Sequence, residues 1–318
     1  MTGPKIKAAF EKLEFSKDFE ETTINKINAK KAERTSSKKR MHGKIYLPAG
    51  YVIKTAIASG IIVLIGTGAY AAKENLFQKI WDSKADIIEP YLNNEKYSME
   101  TKHYKFTVEN IFLSENSAQY IMNVKAKTEE GKKELDINKA TKSLSDHFTK
   151  HSCTGLTFKS GDEKTGGGGS IRLLADISEN GNWYLFDSTQ KDDNTNYSSV
   201  IISAWAKWNG KTEQAEFDIP AKNVQKGILV PAGSEQCNIK KYLVNSSGIS
   251  AKANNIDNSK IEPFLENGIL FRVTMKDNST KTYGGGLVYH DNSLTVSCLF
   301  DKPVKPEDIK NVEIVAKN

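Results

Sequence analysis

Thiol and metal-ligating side chains are scarce in this chain. Its 318 residues include three cysteines and five histidines. None of Cys153, Cys237 and Cys298 lies in a C-x-x-C pair, which argues against a zinc ribbon or a thioredoxin-type site. Cys237 and Cys298 can pair if the C-terminal part is extracytoplasmic; the alternative is unpaired, buried thiols. His147 and His151 have the i, i+4 spacing that puts both imidazoles on one helix face, near Cys153. No Asp or Glu recurs at a supporting interval, so they read as exposed polar residues of a short insert. There is no H-E-x-x-H, no nucleophile elbow, and no carboxylate pair that stands out from the charged background. The tetraglycine Gly166–Gly169 is followed by Ser170-Ile171-Arg172 and a strand pattern. A phosphate loop needs Gly-Lys-Ser/Thr and a helix N-terminus, so this run reads as a hairpin loop. Gly284–Gly286 reads likewise as a turn or bulge between strands. No catalytic residue, metal or cofactor is expected, and the chain is not expected to be an enzyme.

Long apolar runs are also rare; there is one. Tyr51–Ala72 spans 22 residues with a single charge, Lys54. At ~1.5 Å per helical residue it would reach roughly 33 Å, enough for a bilayer core. Tyr51 and Tyr70 sit near its two ends, where an interfacial belt places aromatics. Its end, "GTGAYAAKEN", holds an A-x-A pattern at Ala69-Tyr70-Ala71, which a signal peptidase would cut. An uncut anchor is preferred, because a signal peptide has a short charged region before its apolar run and here about 50 residues precede it.

Charge is unevenly spread. The 45 Lys+Arg and 39 Asp+Glu leave +6, but residues 1–54 hold 13 of the basic and 6 of the acidic residues. The tail therefore carries +7 and the rest −1, which disfavours direct nucleic-acid binding. Lys38, Lys39, Arg40 and Lys44 flank the apolar run on its N-terminal side. The positive-inside rule then puts the tail in the cytoplasm and the C-terminal part outside. Residues 30–44 read as a basic linker lying on anionic membrane lipid.

The tail has apolar stripes. Ile6, Phe10 and Leu13 are spaced as one helix face, and Ser16 can cap a second helix with Phe19, Ile24 and Ile27 on its apolar side. Two such short helices cannot bury both stripes on each other, which points to a protein partner.

The C-terminal part reads as β. Lys73–Asn94 opens with Leu76, Phe77, Ile80 and Trp81 at helical spacing, with Pro90 as its stop. From Tyr104 apolar and polar residues alternate, with Phe106, Val108 and Asn110 on one side. Ser114–Ser117 reads as a turn and "AQYIMNVKAK" as the returning strand. Further strands are expected at "IRLLADI", "WYLFDS", "SVIISAWAKW", "TEQAEFDI", "IKKYLV", "ISAKAN", "ILFRVTM", "LTVSCLF" and "VEIVA". Ile137, Ala140, Leu144 and Phe148 mark a helical insert, and Trp183, Trp205 and Trp208 read as core. Two echoes suggest a repeat: Phe217-Asp218-Ile219-Pro220 with Phe300-Asp301-Lys302-Pro303, and "LSENSAQY" with "VNSSGISA" as matching hairpin turns.

Three stretches resemble the single-pass, anti-sigma-factor-like membrane proteins of Gram-positive bacteria: "PKIKAAFEKLEFSKDFEETTINKI", "YKFTVENIFLSENSAQYIMNVKA" and "LFDKPVKPEDIKNVEIV". The His-x3-Cys-x2-Cys motif of the zinc-type clamps is missing from the tail. The resemblance implies a cytoplasmic sigma factor held through Ile6, Phe10, Leu13, Phe19, Ile24 and Ile27. It also implies an outer immunoglobulin-like part that senses an unknown envelope ligand. The alternative is an anchored or secreted β-sandwich binding or structural module with an inert tail. The expected layout is a mainly β protein. Residues 1–48 form a short helical cytoplasmic tail and basic linker, and 49–72 a transmembrane helix. Two tandem immunoglobulin-like β-sandwich modules follow outside, 73–226 with the insert and 227–318.

Overall fold

The computed structural model describes residues 62–63, 75–93, 95–141, 148–191 and 196–317. The chain is mainly β. The first eleven strands are β1 (Ile62–Val63), β2 (Leu92–Asn93), β3 (Tyr97–Glu100), β4 (Tyr104–Ser114), β5 (Ser117–Ala126), β6 (Ser152–Ser160), β7 (Glu163–Thr165), β8 (Gly167–Leu173), β9 (Asn182–Lys191), β10 (Ser199–Trp208) and β11 (Lys211–Pro220). They make two sheets, β1-β3-β4-β5-β9-β8 with β2 on β4, and β11-β10-β6-β7. The sheets share one core, with Phe106, Tyr120 and Trp183 from the first meeting Phe158, Ile202 and Phe217 from the second.

The centre of the first sheet is buried on both faces, so β5 is buried almost throughout, its polar Ser117, Gln119 and Asn123 included. Its outer face is covered by α1 (Leu76–Trp81), whose Phe77 and Trp81 pack with Ile88 on Phe112, Ile121 and Phe186. Asn75 caps α1 by accepting from the Phe77 N–H at 3.1 Å. A β-bulge between Val108 and Asn110 lets β4 serve both cores. Before it, Phe106 and Val108 point to the inter-sheet core; after it, Ile111 and Leu113 do, and Phe112 turns out to α1. One extra residue reverses the face that each later side chain takes.

Between the sheets lies one buried acid. The Tyr120 hydroxyl donates to Asp187 at 2.9 Å and bonds Thr154 Oγ1 on the opposite sheet at 2.7 Å. Thr189 Oγ1 donates to the other Asp187 oxygen at 2.7 Å. Burial raises the Asp187 pKa from 3.8 to about 6, although the Thr189 and Tyr120 hydrogen bonds pull it down. Asp187 is 2% exposed, which suits a structural link and not a catalytic acid. At the end of the sandwich a second link forms: buried His103 bonds Glu213 at 2.6 Å and stacks on Trp208 at 3.9 Å.

The remaining strands are β12 (Ile228–Gln236), β13 (Ile239–Asn245), β14 (Gly248–Asn254), β15 (Ile269–Met275), β16 (Thr280–His290), β17 (Ser293–Leu299) and β18 (Ile309–Ala316). They close into a barrel, β12-β13-β14-β17-β16-β15-β18, sealed by parallel pairing of Ala232 with Val312. Its interior holds Tyr242, Phe271, Val296 and Ile314. The insert of the sandwich contains α2 (Glu129–Glu134) and α3 (Ile137–Thr141), and α4 (Asn258–Asn267) lays Ile261 and Phe264 against the barrel core.

Several expectations change. The second module is a closed barrel, not a second sandwich. α1 ends at Trp81, where Asp82 takes φ 50°, well before Pro90, which falls in a later 3-10 turn. Of the expected transmembrane helix, 49–72, only Ile62 and Val63 lie among the described residues. They form an edge strand on Met99 and Ser98 instead of helix, a conformation that suits β-branched residues. Among the described residues no helix is long and apolar enough to cross a membrane. Of the three tryptophans read as core, Trp183 is buried, and Trp205 and Trp208 are partly buried, with Trp208 packed against the sandwich core.

Asp187 gives the fold a pH signature. Its folded pKa lies above the unfolded value of 3.8, so the folded state binds the proton more tightly. Its contribution is complete below about pH 4 and lost as pH rises through about 6, a decline of about 3 kcal/mol. Asp187→Asn keeps acceptor and donor for hydroxyls that can rotate. Urea unfolding across this range should show the wild-type decline and a flatter profile in the variant.

Candidate binding groove at the module junction

The two modules meet turn to turn. The β4–β5 turn is Glu115-Asn116 and the β13–β14 turn is Ser246-Ser247, as the match of "LSENSAQY" with "VNSSGISA" anticipates. Asn245 Oδ1 accepts from the Ser247 and Gly248 N–H groups at 2.9 and 3.1 Å, and its amide donates to Asn116 Oδ1. The Asn116 amide donates to Ser250 Oγ at 2.7 Å, and the Ser117 and Ser247 hydroxyls bond each other. Gln225, in the connection between modules, donates to Ser246 Oγ at 2.8 Å and accepts from the Ser246 N–H at 3.0 Å. All of these side chains are buried. The turns are equivalent: the N–H of Lys191, the last residue of β9, bonds the Asn116 carbonyl, and that of Phe300, just after β17, bonds the Ser247 carbonyl, each at 2.8 Å. The other echo is not equivalent, since Phe217 lies within β11 while Phe300 follows β17.

Beside this seam the outer face of the sandwich sheet and the outside of the barrel enclose a groove of about 460 Å³. Trp183 and Leu185 point into the sandwich, so Phe186, Ser188 and Gln190 of β9 point out. Ser188 stands in register between Gln119 of β5 and Ser170 of β8, and Gln190 stands beside Gly168. The barrel supplies Gly286 in register with Ser297, and Gly284.

The glycine runs are therefore strand, not loops. A Cβ at Gly169 would lie 2.5 Å from the Ser188 carbonyl oxygen, and one at Gly285 would lie 2.8 Å from that of Ser297, so both need glycine for close backbone approach. Gly285 and Gly286 also mark where β16 passes from pairing with β15 to pairing with β17. By contrast a Cβ at Gly168, Gly284 or Gly286 would meet nothing within 4 Å. Their missing side chains leave the groove open.

Trp81 lines one end of the groove, stacked on Phe77 at 4.8 Å and edge-on to Phe186 at 5.5 Å. Arg172 lies 4.8 Å over the Phe186 ring. Burial lowers the Arg172 pKa, and the charge of Asp301 across the groove offsets that shift. Asp301 also lines an adjoining cleft of about 660 Å³ carrying Lys84, Lys281, Lys302 and Lys305, with Asp308 as its other acid. Lys302 reaches Asp82 at 3.7 Å. With four lysines to two acids, this cleft favours anions.

The residues expected to bind a partner, Ile6, Phe10, Leu13, Phe19, Ile24 and Ile27, and the basic flank Lys38, Lys39, Arg40 and Lys44, lie outside the described residues, as does His147. His151 bonds Glu134 at 3.1 Å. Cys153, Cys237 and Cys298 are free thiols, so Cys237 and Cys298 are not bonded to each other; Cys298 faces the barrel interior. Among the described residues no three His, Cys, Asp or Glu gather to hold a metal. Sequence reading did not anticipate the groove, although its two glycine runs are visible in the chain.

No family model matches the chain, and no curated protein matches it. Among solved structures it is similar to one described as the crystal structure of the conserved domain protein from Bacillus anthracis. The TM-score is 0.45 and the identity 12%, over 72% of this chain and 79% of that one. That likeness is too slight to carry a function across.

Asn245→Ala should strand the Ser247 and Gly248 donors and the Asn116 acceptor. The expected loss is about 2–4 kcal/mol, measured by urea unfolding. Separate transitions for sandwich and barrel should appear as the seam weakens.

Proposed function

We propose that this protein is a ligand-binding sensor whose two-module β unit takes an anionic envelope ligand at the module junction. The lysine cleft carries this reading. Its cations come from the segment after α1, from β16 and from the stretch after β17, so it exists only where sandwich and barrel adjoin. Exposed lysines at a concave site attract phosphate or carboxylate through long-range charge, with strong salt dependence. The immunoglobulin-like class is retained for the first module alone, supported by its two facing sheets.

A second reading concerns the remainder of the chain. Residues 49–72 would anchor the protein in a membrane, with the N-terminus cytoplasmic and the C-terminal part extracytoplasmic. Ile6, Phe10, Leu13, Phe19, Ile24 and Ile27 would hold a sigma factor inactive. The 22-residue run with its single charge and the basic flank support it. The edge strand at Ile62–Val63 is its rival, because a membrane helix through 49–72 would have to replace that pairing.

For the cleft, the full chain should bind a polyphosphate or a phosphodiester-linked glycerol polymer at low salt. Lys281→Glu/Lys305→Glu should weaken that binding by about tenfold or more and reduce its salt dependence. Equal binding by wild type and variant would remove the cleft from the proposal. For the tail, Phe10→Asp/Leu13→Asp should abolish capture of any sigma factor that the full chain captures. Retained capture and repression would leave the alternative, a binding module with an inert tail.

A further inference from the structure

The groove between the glycine strands has a chemistry distinct from that of the lysine cleft. Its lining sets amides and hydroxyls from Gln119, Ser170, Ser188, Gln190 and Ser297 beside the rings of Trp81, Phe186 and Phe300, over the backbone of Gly168 and Gly286. Arg172 and Asp301 at its rim balance in charge. Among the described residues two buried groups that line it have no hydrogen-bond partner: the Trp81 indole N–H and the Gln119 Oε1. Each side chain is 2% exposed. The Gln119 amide already donates to Ser188 Oγ at 3.0 Å, which orients the unpartnered oxygen. A buried polar group left unpaired costs about 1–3 kcal/mol, so one donor and one acceptor on residues that line the same groove call for partners.

We infer that this groove is a subsite for a hydroxyl-rich chain, a glycan or polyol. A hydroxyl is the simplest group that serves both, since it can accept from Trp81 Nε1 and donate to Gln119 Oε1. The row of Ser and Gln side chains continues that pattern along the sheet face. These side chains project from the faces of the sheets, so recognition runs through side-chain hydrogen bonds. An extended peptide would instead pair its backbone along the outer edge of β8, the last strand of its sheet. The volume of about 460 Å³ falls within the usual range of small-ligand sites, about 300–1,000 Å³. Asp301 lines both groove and cleft, so the two adjoin, and a polymer that alternates hydroxyls with phosphate would reach both. This inference rests on the reading of the junction as a binding site and names its ligand class.

The groove can be filled without harming the fold, because Gly168 and Gly286 have open space where a Cβ would go. The test follows the isotope-labelled indole N–H resonance of Trp81 in the full chain. The probes are short neutral oligomers of glucose, of N-acetylglucosamine and of glycerol, together with phosphodiester-linked glycerol. At least one neutral probe should shift the resonance. Gly168→Leu, Gly286→Leu and Gln119→Ala should each weaken it about tenfold or more, with melting temperatures near wild type for the two leucine variants. Lys281→Glu/Lys305→Glu should weaken the phosphodiester probe alone and leave the neutral probe unchanged. The inference is overturned if no hydroxylated probe moves the resonance at about 10 mM, or if binding survives both leucine variants. Binding of an extended glycine-alanine peptide, with no polyol bound, would overturn the ligand class. If the lysine variants change nothing while neutral binding persists, the anionic reading of the cleft fails and this subsite stands.

Discussion

The arrangement of this molecule depends on a buried exchange of hydrogen bonds between two hairpin turns. Asn116, Ser117, Asn245, Ser247 and Gln225 are all withdrawn from water, and each finds its partners in the opposing turn or its own backbone. Apolar contact would tolerate sliding, because its strength follows area and not direction. Hydrogen bonds between buried groups do not, since a shift of an ångström leaves donors and acceptors unpaired with no water to replace the partner. The seam thus sets the angle of sandwich to barrel, and the groove beside it inherits its width from that angle.

The seam also shows how one design has been used twice. In each module a two-residue turn presents its second carbonyl to an N–H at the end of the strand beyond its hairpin, Lys191 at the end of β9 in one and Phe300 just after β17 in the other. Beyond that shared core the modules part. The sandwich sheet ends at β8, and a second sheet covers one face while α1 covers the other. In the barrel the corresponding strand, β16, bends at Gly285–Gly286 and changes partner, which lets β15, β18 and β12 complete the circle. Glycine is needed where backbones press together at Gly169 and Gly285. It is unoccupied space at Gly168, Gly284 and Gly286, and alternation along a strand keeps both roles within one run.

Much of the β framework was legible. "WYLFDS", "SVIISAWAKW", "TEQAEFDI" and "VEIVA" fall within strands because their apolar residues alternate or run together as sheet burial requires. Four kinds of segment were not. β16 alternates, but its glycines read as punctuation, and β12 carries a proline at Pro231. β6 hides its alternation behind Ser152, Thr154 and Leu156, where hydroxyls take inward places. α4 has Pro263 within it, which hides a helix that Asp257 caps. The bulge at β4 changed which residues face which core, and only its partner strand shows it.

What the sequence determined by itself is local: the strands, the paired turns, the basic tail set against a near-neutral remainder, and the apolar run at 51–72. These follow from periodicity, turn chemistry and charge, all read within a few residues. Only the tertiary structure decided that one module closes into a barrel and that two distant glycine runs face one space. The same holds for Trp81 and Gln119, which come to line one groove with a donor and an acceptor to spare. Those facts join residues from 38 to more than a hundred positions apart. They depend on how buried polar groups find partners across the fold, which no local pattern records.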